Sequence, residues 1–197
     1  MSAQSARITV GQKILILATS FALLIAVLVY FVTSTIQSYI RFADLERMGN
    51  QVQRPLESIL EGVQAHQLAA FYHATPDEAG IEAQAKQVER GFEALVAADQ
   101  AVGAELQFTD EGLGKRDRGH VRVANVSKEW SELANAVHAG GSPAELAERY
   151  AHVVSDLRTM IVHAGDTSNL ILDPDLDSYY LMDCTLLALP QTQASGR

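Results

Sequence analysis

Four aspartates are concentrated in the segment LDPDLDSYYLMD, which runs from Leu172 to Asp183 and contains two adjacent tyrosines. The Asp-x-Asp-x-Asp spacing is typical of a calcium loop, in which carboxylate oxygens are the ligands. A loop of the EF-hand kind also requires glycine at its sixth position and glutamate at its twelfth. These positions hold Ser178 and Cys184, which disfavours the calcium interpretation.

The start of a helix explains several of the same aspartates. Asp173 can serve as an N-cap, Pro174 suits the first helical position, and the following aspartates would lie where the helix dipole favours negative charge. A recognition or signalling role for the same segment is compatible with this capping role. Its candidate ligand-binding or signalling residues are Asp173, Asp175, Asp177, Tyr179, Tyr180 and Asp183.

The sequence carries no familiar catalytic signature. It contains no glycine-rich phosphate loop, no nucleophile elbow and no His-Glu-x-x-His motif, each of which has a recognisable pattern of residues. We therefore expect no enzymatic activity, no catalytic residue and no cofactor. Cys184 is the single cysteine, so the chain has no internal disulfide, and this residue suits a core position or an intermolecular disulfide.

Charge and composition narrow the class of protein further. The 197 residues are 48% hydrophobic and suit one ordinary domain. The formal net charge is -9, from 24 acidic and 15 basic residues. This charge argues against nucleic acid as a partner, because phosphate binding requires a basic surface.

An uncharged segment near the N-terminus predicts a transmembrane helix. Residues 14–36 contain no charged side chain, and a helix of about 20 apolar residues crosses the hydrocarbon core of a bilayer. A cleavable signal peptide is the alternative, but the apolar stretch is longer than the core of such a peptide and no small-residue cleavage site follows. Arg7 and Lys13 precede the segment and no acidic residue precedes Asp44, which predicts a cytoplasmic N-terminus, residues 1–13.

The remaining sequence has the periodicity of amphipathic helices. In the first helix, apolar positions recur at steps of four and three from Val52 to His73, which is a coiled-coil pattern. The second helix is predicted over about residues 76–108, with Thr75 as its N-cap. A glycine-rich turn separates it from the third helix, over about residues 115–139. The fourth helix begins after a capping box, Ser142 to Glu145.

Four amphipathic helices joined by short turns predict an antiparallel bundle, because each helix has one apolar stripe to bury. We expect an all-α fold in which the transmembrane helix continues into an up-down-up-down four-helix bundle over residues 37–190. The fourth helix would then return toward the membrane. Residues 191–197 would be a truncated tail before a second transmembrane span.

Counting along these helices at about 1.5 Å per residue brings Arg54 to the level of Asp173. Each of the two residues is followed by a proline, Pro55 and Pro174, and a proline removes a helical hydrogen bond and can open a bundle locally. The same count places Trp130 of the third helix at this level of the bundle. We predict a polar pocket or switch at this level, with Arg54 facing the aspartates.

Three histidines fall near the distal end of the bundle in the same count, His66, His138 and His152. Three imidazoles could hold zinc, copper or haem. Only His66 lies on its helix seam, whereas His138 and His152 neighbour apolar positions and should point outward. We therefore expect no metal site, and His66 is kept as a possible ligand-binding residue.

Two segments resemble a known family. PLESILEGVQAHQ, from Pro55 to Gln67, and SNLILDPDLDSYYLMD, from Ser168 to Asp183, resemble the N-terminal sensory region of bacterial transmembrane signalling receptors, chiefly methyl-accepting chemotaxis proteins and also membrane histidine kinases. The family often has an arginine after the histidine of the first segment. This chain has Gln67 there, which is also a possible ligand-binding residue.

The resemblance implies a ligand-sensing receptor in the bacterial inner membrane, with one span in this chain and its bundle in the periplasm. A second span, a HAMP linker and an output domain would follow. The resemblance also implies a homodimer whose ligand is a small molecule or a periplasmic binding protein. The alternatives are the sensor of a histidine kinase or cyclic-dinucleotide enzyme, a membrane-tethered helical scaffold and a metal-binding module.

Overall fold

The computed structural model describes residues 9–71 and 77–170 of the chain. All regular structure within these ranges is helical, and none of the residues described there forms a strand. The elements are α1 (Val10–Phe71), α2 (Glu78–Val102), α3 (Asp110–Gly114), a 3-10 turn (Gly119–Val121), α4 (Val123–His138) and α5 (Pro143–Thr167). The prediction of an all-α fold is confirmed.

Helix α1 is 62 residues long and contributes to two compact units, which divide between Ala43 and Asp44. Its N-terminal part contains a strongly apolar 18-residue segment, and none of that segment is buried. By length and composition the segment could span a membrane. Its complete exposure distinguishes it from the core helix of a soluble domain.

The second unit has a continuous apolar core. The stripes predicted from helical periodicity supply it, because each helix turns its apolar positions toward the others. Its deeply buried members on the long helices include Leu56, Ile59, Val63, Val88, Leu95, Val126, Trp130, Leu133, Tyr150, Leu157 and Met160. The periodic pattern therefore identified the buried face of each long helix correctly.

Two glycines bring α1 and α2 close together. A Cβ atom added at Gly62 would lie 2.7 Å from Cγ2 of Val88, and one added at Gly91 would lie 2.5 Å from Cγ1 of Ile59. These separations are too short for carbon atoms, so only glycine fits at either position. The earlier residue of α1 contacts the later residue of α2, so the two helices are antiparallel where they touch.

Helices α1 and α5 also contact each other in opposite directions. His66 is hydrogen-bonded to Tyr150, near the start of α5. Gly49 lies against Ser168, the C-cap of α5, at a distance that leaves no room for a Cβ atom. Lower residue numbers of α1 are therefore paired with higher numbers of α5.

The start of α2 differs from the prediction. Asp77 is the N-cap, and its Oδ1 accepts a hydrogen bond from the backbone N–H of Gly80 at 3.0 Å. The predicted cap, Thr75, lies outside the described residues together with Pro76. Aspartate ranks above threonine as an N-cap, which is the physical reason for the later start.

The third long helix begins later than predicted, at Val123. The glycine-rich segment before it folds into α3 and the 3-10 turn, and Thr109 caps α3 by accepting a hydrogen bond from the N–H of Gly112 at 3.1 Å. Asp117 then adopts a left-handed φ of 57°, which a right-handed helix does not tolerate. The start of α5 was predicted correctly, because Oγ of Ser142 accepts from the N–H of Glu145.

Candidate functional site

Aromatic side chains from three helices meet around His66. His66 comes from α1, Trp130 from α4 and Tyr150 from α5, and their exposed fractions are 0%, 2% and 1%. The rings of His66 and Trp130 are 5.0 Å apart at an interplanar angle of 74°, which is a favourable edge-to-face arrangement. Phe71 packs edge-on against Tyr150. These four residues form the His66 cluster.

The two nitrogens of the His66 ring have different surroundings. Nδ1 is hydrogen-bonded to Oη of Tyr150 at 2.5 Å. Nε2 is buried and has no hydrogen-bond partner among the described residues. A buried polar atom without a partner costs free energy because it has lost its water. Nε2 is therefore the polar atom of this cluster whose hydrogen-bonding capacity is unused.

Burial sets the charge of the His66 cluster. It lowers the pKa of His66 to about 4, with a smaller contribution from nearby His138, and it raises the pKa of Tyr150. Both side chains are consequently neutral at neutral pH. A neutral imidazole has one donor and one acceptor nitrogen, so Nε2 takes whichever role the bond at Nδ1 leaves. The cluster suits a single hydrogen bond to an uncharged polar group.

Trp130 does not lie where the helix count predicted it. The count placed it at the level of Arg54, but it contacts His66, about 18 Å further along α1 at 1.5 Å per residue. The late start of α4 explains the difference, because the count assumed that this helix began near Lys115. Trp130 therefore belongs with the histidine of α1 and not with its arginine.

Arg54 is exposed on α1, and the half-buried Pro55 follows it inside a helix that continues without a break. The buried neighbours Val52 and Leu56 hold this turn in the core, which offsets the hydrogen bond that proline removes. The residues predicted to face Arg54 lie outside the described residues, so that pairing stays a prediction. They are Asp173, Asp175 and Asp177; the other candidate ligand-binding or signalling residues of this segment, Tyr179, Tyr180 and Asp183, also lie outside the described residues.

Two glutamines lie beside His66 on α1. Gln67 follows it and is half-buried, as is Gln64. Nε2 of Gln64 is buried without a hydrogen-bond partner in the part of the chain that the structure describes. The sequence analysis did not single out Gln64. It lies one position after the buried Val63 and one turn before the exposed Leu68, so periodicity alone does not predict a buried polar atom there.

A second buried histidine, His163, was missed by the sequence analysis. Its Nε2 lies 3.1 Å from the carbonyl oxygen of Leu106 and 3.2 Å from that of Gln107. Its Nδ1 lies 3.5 Å from Nη1 of Arg118, which also forms an ion pair with Asp166 at 2.8 Å. Burial lowers the pKa of His163. This neutral histidine ties the segment after α2 to α5, which is a structural role.

The three histidines that the helix count placed near the distal end, His66, His138 and His152, do not form one metal-binding group among the described residues. His66 is buried, while His138 and His152 are both exposed, as their neighbouring apolar positions predicted. One group of three side chains within residues 9–71 and 77–170 could hold a metal ion, and it consists of Glu129, His152 and Asp156. This group is not recognisable in the sequence, because its residues come from two helices and the sequence does not give the axial offset between them.

The chain matches no protein-family model, no curated protein and no solved structure.

Proposed function

We propose that this chain is the ligand-sensing input region of a bacterial transmembrane signalling receptor of the chemotaxis type. The observation that carries the proposal is α1, a single helix that contains both the membrane-length apolar segment and the buried His66. Helix α1 therefore contains residues of both compact units. A change in the packing around His66 can therefore be passed along α1 to the membrane.

In this proposal α1, α2, α4 and α5 form an up-down-up-down four-helix bundle. The antiparallel contacts of α1 with α2 and with α5 support this arrangement, as does the contact between His152 of α5 and Glu129 of α4. The N-terminus is cytoplasmic, the bundle is periplasmic, and two copies pair in the inner membrane along α1 and α5. The paired long helices supply the seam of the dimer.

The His66 cluster is the proposed ligand contact. Its aromatic rings offer apolar contact area, and Nε2 of His66 offers one unused hydrogen bond. Because His66 is fully buried, a small molecule reaches Nε2 only when α1 separates from α4 or α5. Such a ligand binds the separated arrangement better than the closed one, and this difference in affinity is what shifts a two-state receptor.

A chimeric receptor tests the proposal. Residues 1–190 are joined to the second span, HAMP linker and signalling domain of a chemotaxis receptor, and kinase activity is recorded in cells during addition of amino acids, organic acids and sugars. We expect at least one class of compound to change kinase activity. His66→Phe should abolish that response, because it keeps an aromatic ring and removes Nε2.

His138→Phe is the matched control, because His138 lies outside the core at the end of α4. It should respond as the unmodified chimera does. A chimera that inserts into the membrane and dimerises, yet responds to no compound or responds equally well with His66→Phe, contradicts the proposal.

A further inference from the structure

A histidine and two carboxylates converge between α4 and α5. Nδ1 of His152 lies 3.2 Å from Oε2 of Glu129 and 3.8 Å from Oδ2 of Asp156. The ligand atoms of all three residues lie within 4.8 Å of one another. His152 and Asp156 are one helical turn apart on α5, so they share a face, and Glu129 approaches from α4.

Asp156 shows that this group is incomplete as a purely protein cluster. Its exposed fraction is 3%, and its Oδ2 atom is buried without a hydrogen-bond partner among the described residues. That oxygen lies on the side of His152, beyond hydrogen-bonding distance from Nδ1. A buried carboxylate oxygen without a donor is costly, and a cation would remove that cost.

We propose that Glu129, His152 and Asp156 bind a divalent transition-metal ion, for which zinc is the best match. Imidazole nitrogen together with carboxylate oxygen is a ligand set of zinc and its neighbours, whereas magnesium and calcium prefer oxygen alone. Two carboxylates also balance the charge of a dication. This inference is independent of the proposed receptor function.

The two separations measured from His152 are close to those of a zinc site. Tetrahedral zinc with bonds of about 2.0–2.1 Å separates its ligand atoms by roughly 3.3 Å. The observed separations from Nδ1 of His152 are 3.2 Å and 3.8 Å. The side chain of His152 is 65% exposed, so an ion can enter from solvent and a water molecule can take the fourth position.

His120 is a positioning residue for this site. Its Nε2 lies 3.9 Å from Oδ1 of Asp156, the carboxylate oxygen other than the one nearest His152. A small movement lets His120 donate a hydrogen bond to Oδ1 and hold the carboxylate toward the metal, as residues behind metal ligands commonly do.

Zinc binding to the full chain tests the proposal. The chain is purified in lipid nanodiscs without a histidine tag, stripped with EDTA and titrated with zinc by calorimetry, and Co²⁺ replaces zinc for visible spectroscopy. We expect one ion per chain and the absorption bands of tetrahedral cobalt. His152→Ala and Glu129→Gln should each weaken binding by about 100-fold or more, and His120→Ala by about 10-fold.

His138→Ala is the matched control, because it removes another histidine outside the core, at the end of α4. It should leave zinc affinity unchanged. Asp156→Asn should also lose binding, and thermal unfolding in EDTA shows whether that variant folds. His152 is exposed, so His152→Ala should still fold. This variant therefore tests the zinc site even if Asp156→Asn does not fold.

Two results would overturn the proposal. One is the absence of stoichiometric zinc binding, which would mean that the three side chains pack together without an ion. The other is equal weakening by His138→Ala and His152→Ala, which would mean adventitious binding to surface histidines.

Discussion

At the scale of single residues, His66 links the stability of the fold to pH. Its pKa is about 4 in the folded chain, against 6.5 for an unperturbed histidine. Between these values the unfolded chain binds a proton that the folded chain does not, so protons favour unfolding. The contribution of neutral His66 to the free energy of unfolding is fully present above pH 6.5. It is lost as the pH falls toward the pKa of His66 in the folded chain.

We expect His66→Phe to flatten this pH dependence. Wild-type chain should lose about 2–3 kcal/mol of unfolding free energy from this residue between about pH 7 and about pH 4.5. The variant lacks the titrating imidazole, so its unfolding free energy should not include this loss of about 2–3 kcal/mol. Urea unfolding of both chains at the two pH values measures the difference. The prediction is wrong if both chains lose the same free energy.

Tyr150→Phe tests the buried hydrogen bond directly. Removing the hydroxyl leaves Nδ1 of His66 without a partner, which should cost about 1–3 kcal/mol of unfolding free energy at neutral pH. The double variant His66→Phe, Tyr150→Phe removes both polar partners, so its loss should be smaller than the sum of the two single losses. Additive losses in urea unfolding would show that the two side chains are not coupled.

Helical periodicity accounts for the burial of these side chains but not for their contacts with one another. His66, Trp130 and Tyr150 each lie on an apolar stripe, which is a local property that helical periodicity reveals. Which residues touch across helices depends on the axial offset between helices. That offset depends on where α4 begins, and the left-handed turn at Asp117 moved its start to Val123.

At the scale of elements, the glycines between α1 and α2 determine how closely these helices pack. Gly91→Ala would place a methyl group against Ile59, and such overpacking costs about 1–3 kcal/mol. Alanine regains up to about 1 kcal/mol through its higher helix propensity. We expect a net loss of about 1–2 kcal/mol of unfolding free energy, measured by urea unfolding.

Gly114→Ala is the matched control for this prediction. Gly114 ends α3, and a Cβ atom there would meet no atom within 4 Å. Its unfolding free energy should be unchanged or slightly higher. A loss as large as that of Gly91→Ala would show that the cost is not caused by the contact with Ile59.

Helix boundaries show where sequence reasoning succeeded and where it failed. Ser142 was identified correctly, because serine, proline and glutamate together specify one start for α5. Two acceptable caps, Thr75 and Asp77, lie before α2, so the pattern did not define a single start. The segment before α4 contains several glycines, and their conformational freedom left its folding to tertiary contacts.

At the scale of the whole molecule, the basic residues before the apolar segment predict the orientation in the membrane. Alkaline phosphatase is active only outside the cytoplasm, so a fusion after Ala139 should be active in bacterial cells. Arg7 and Lys13 give the physical reason, since basic flanks stay on the cytoplasmic side. A cytoplasm-active reporter that functions at the same site would contradict this orientation.

The reciprocal contacts of Gly62 and Gly91 also limit which helices can act as a piston. Val88 and Leu95 lie one turn before and one turn after Gly91 on the same face of α2. Ile59 of α1 packs against Gly91, so sliding α1 lengthwise past α2 would push Ile59 into one of these larger side chains. Close-packed interiors do not deform to admit such a step. Helices α1 and α2 are thus interlocked, so any lengthwise stroke of α1 has to carry α2 with it.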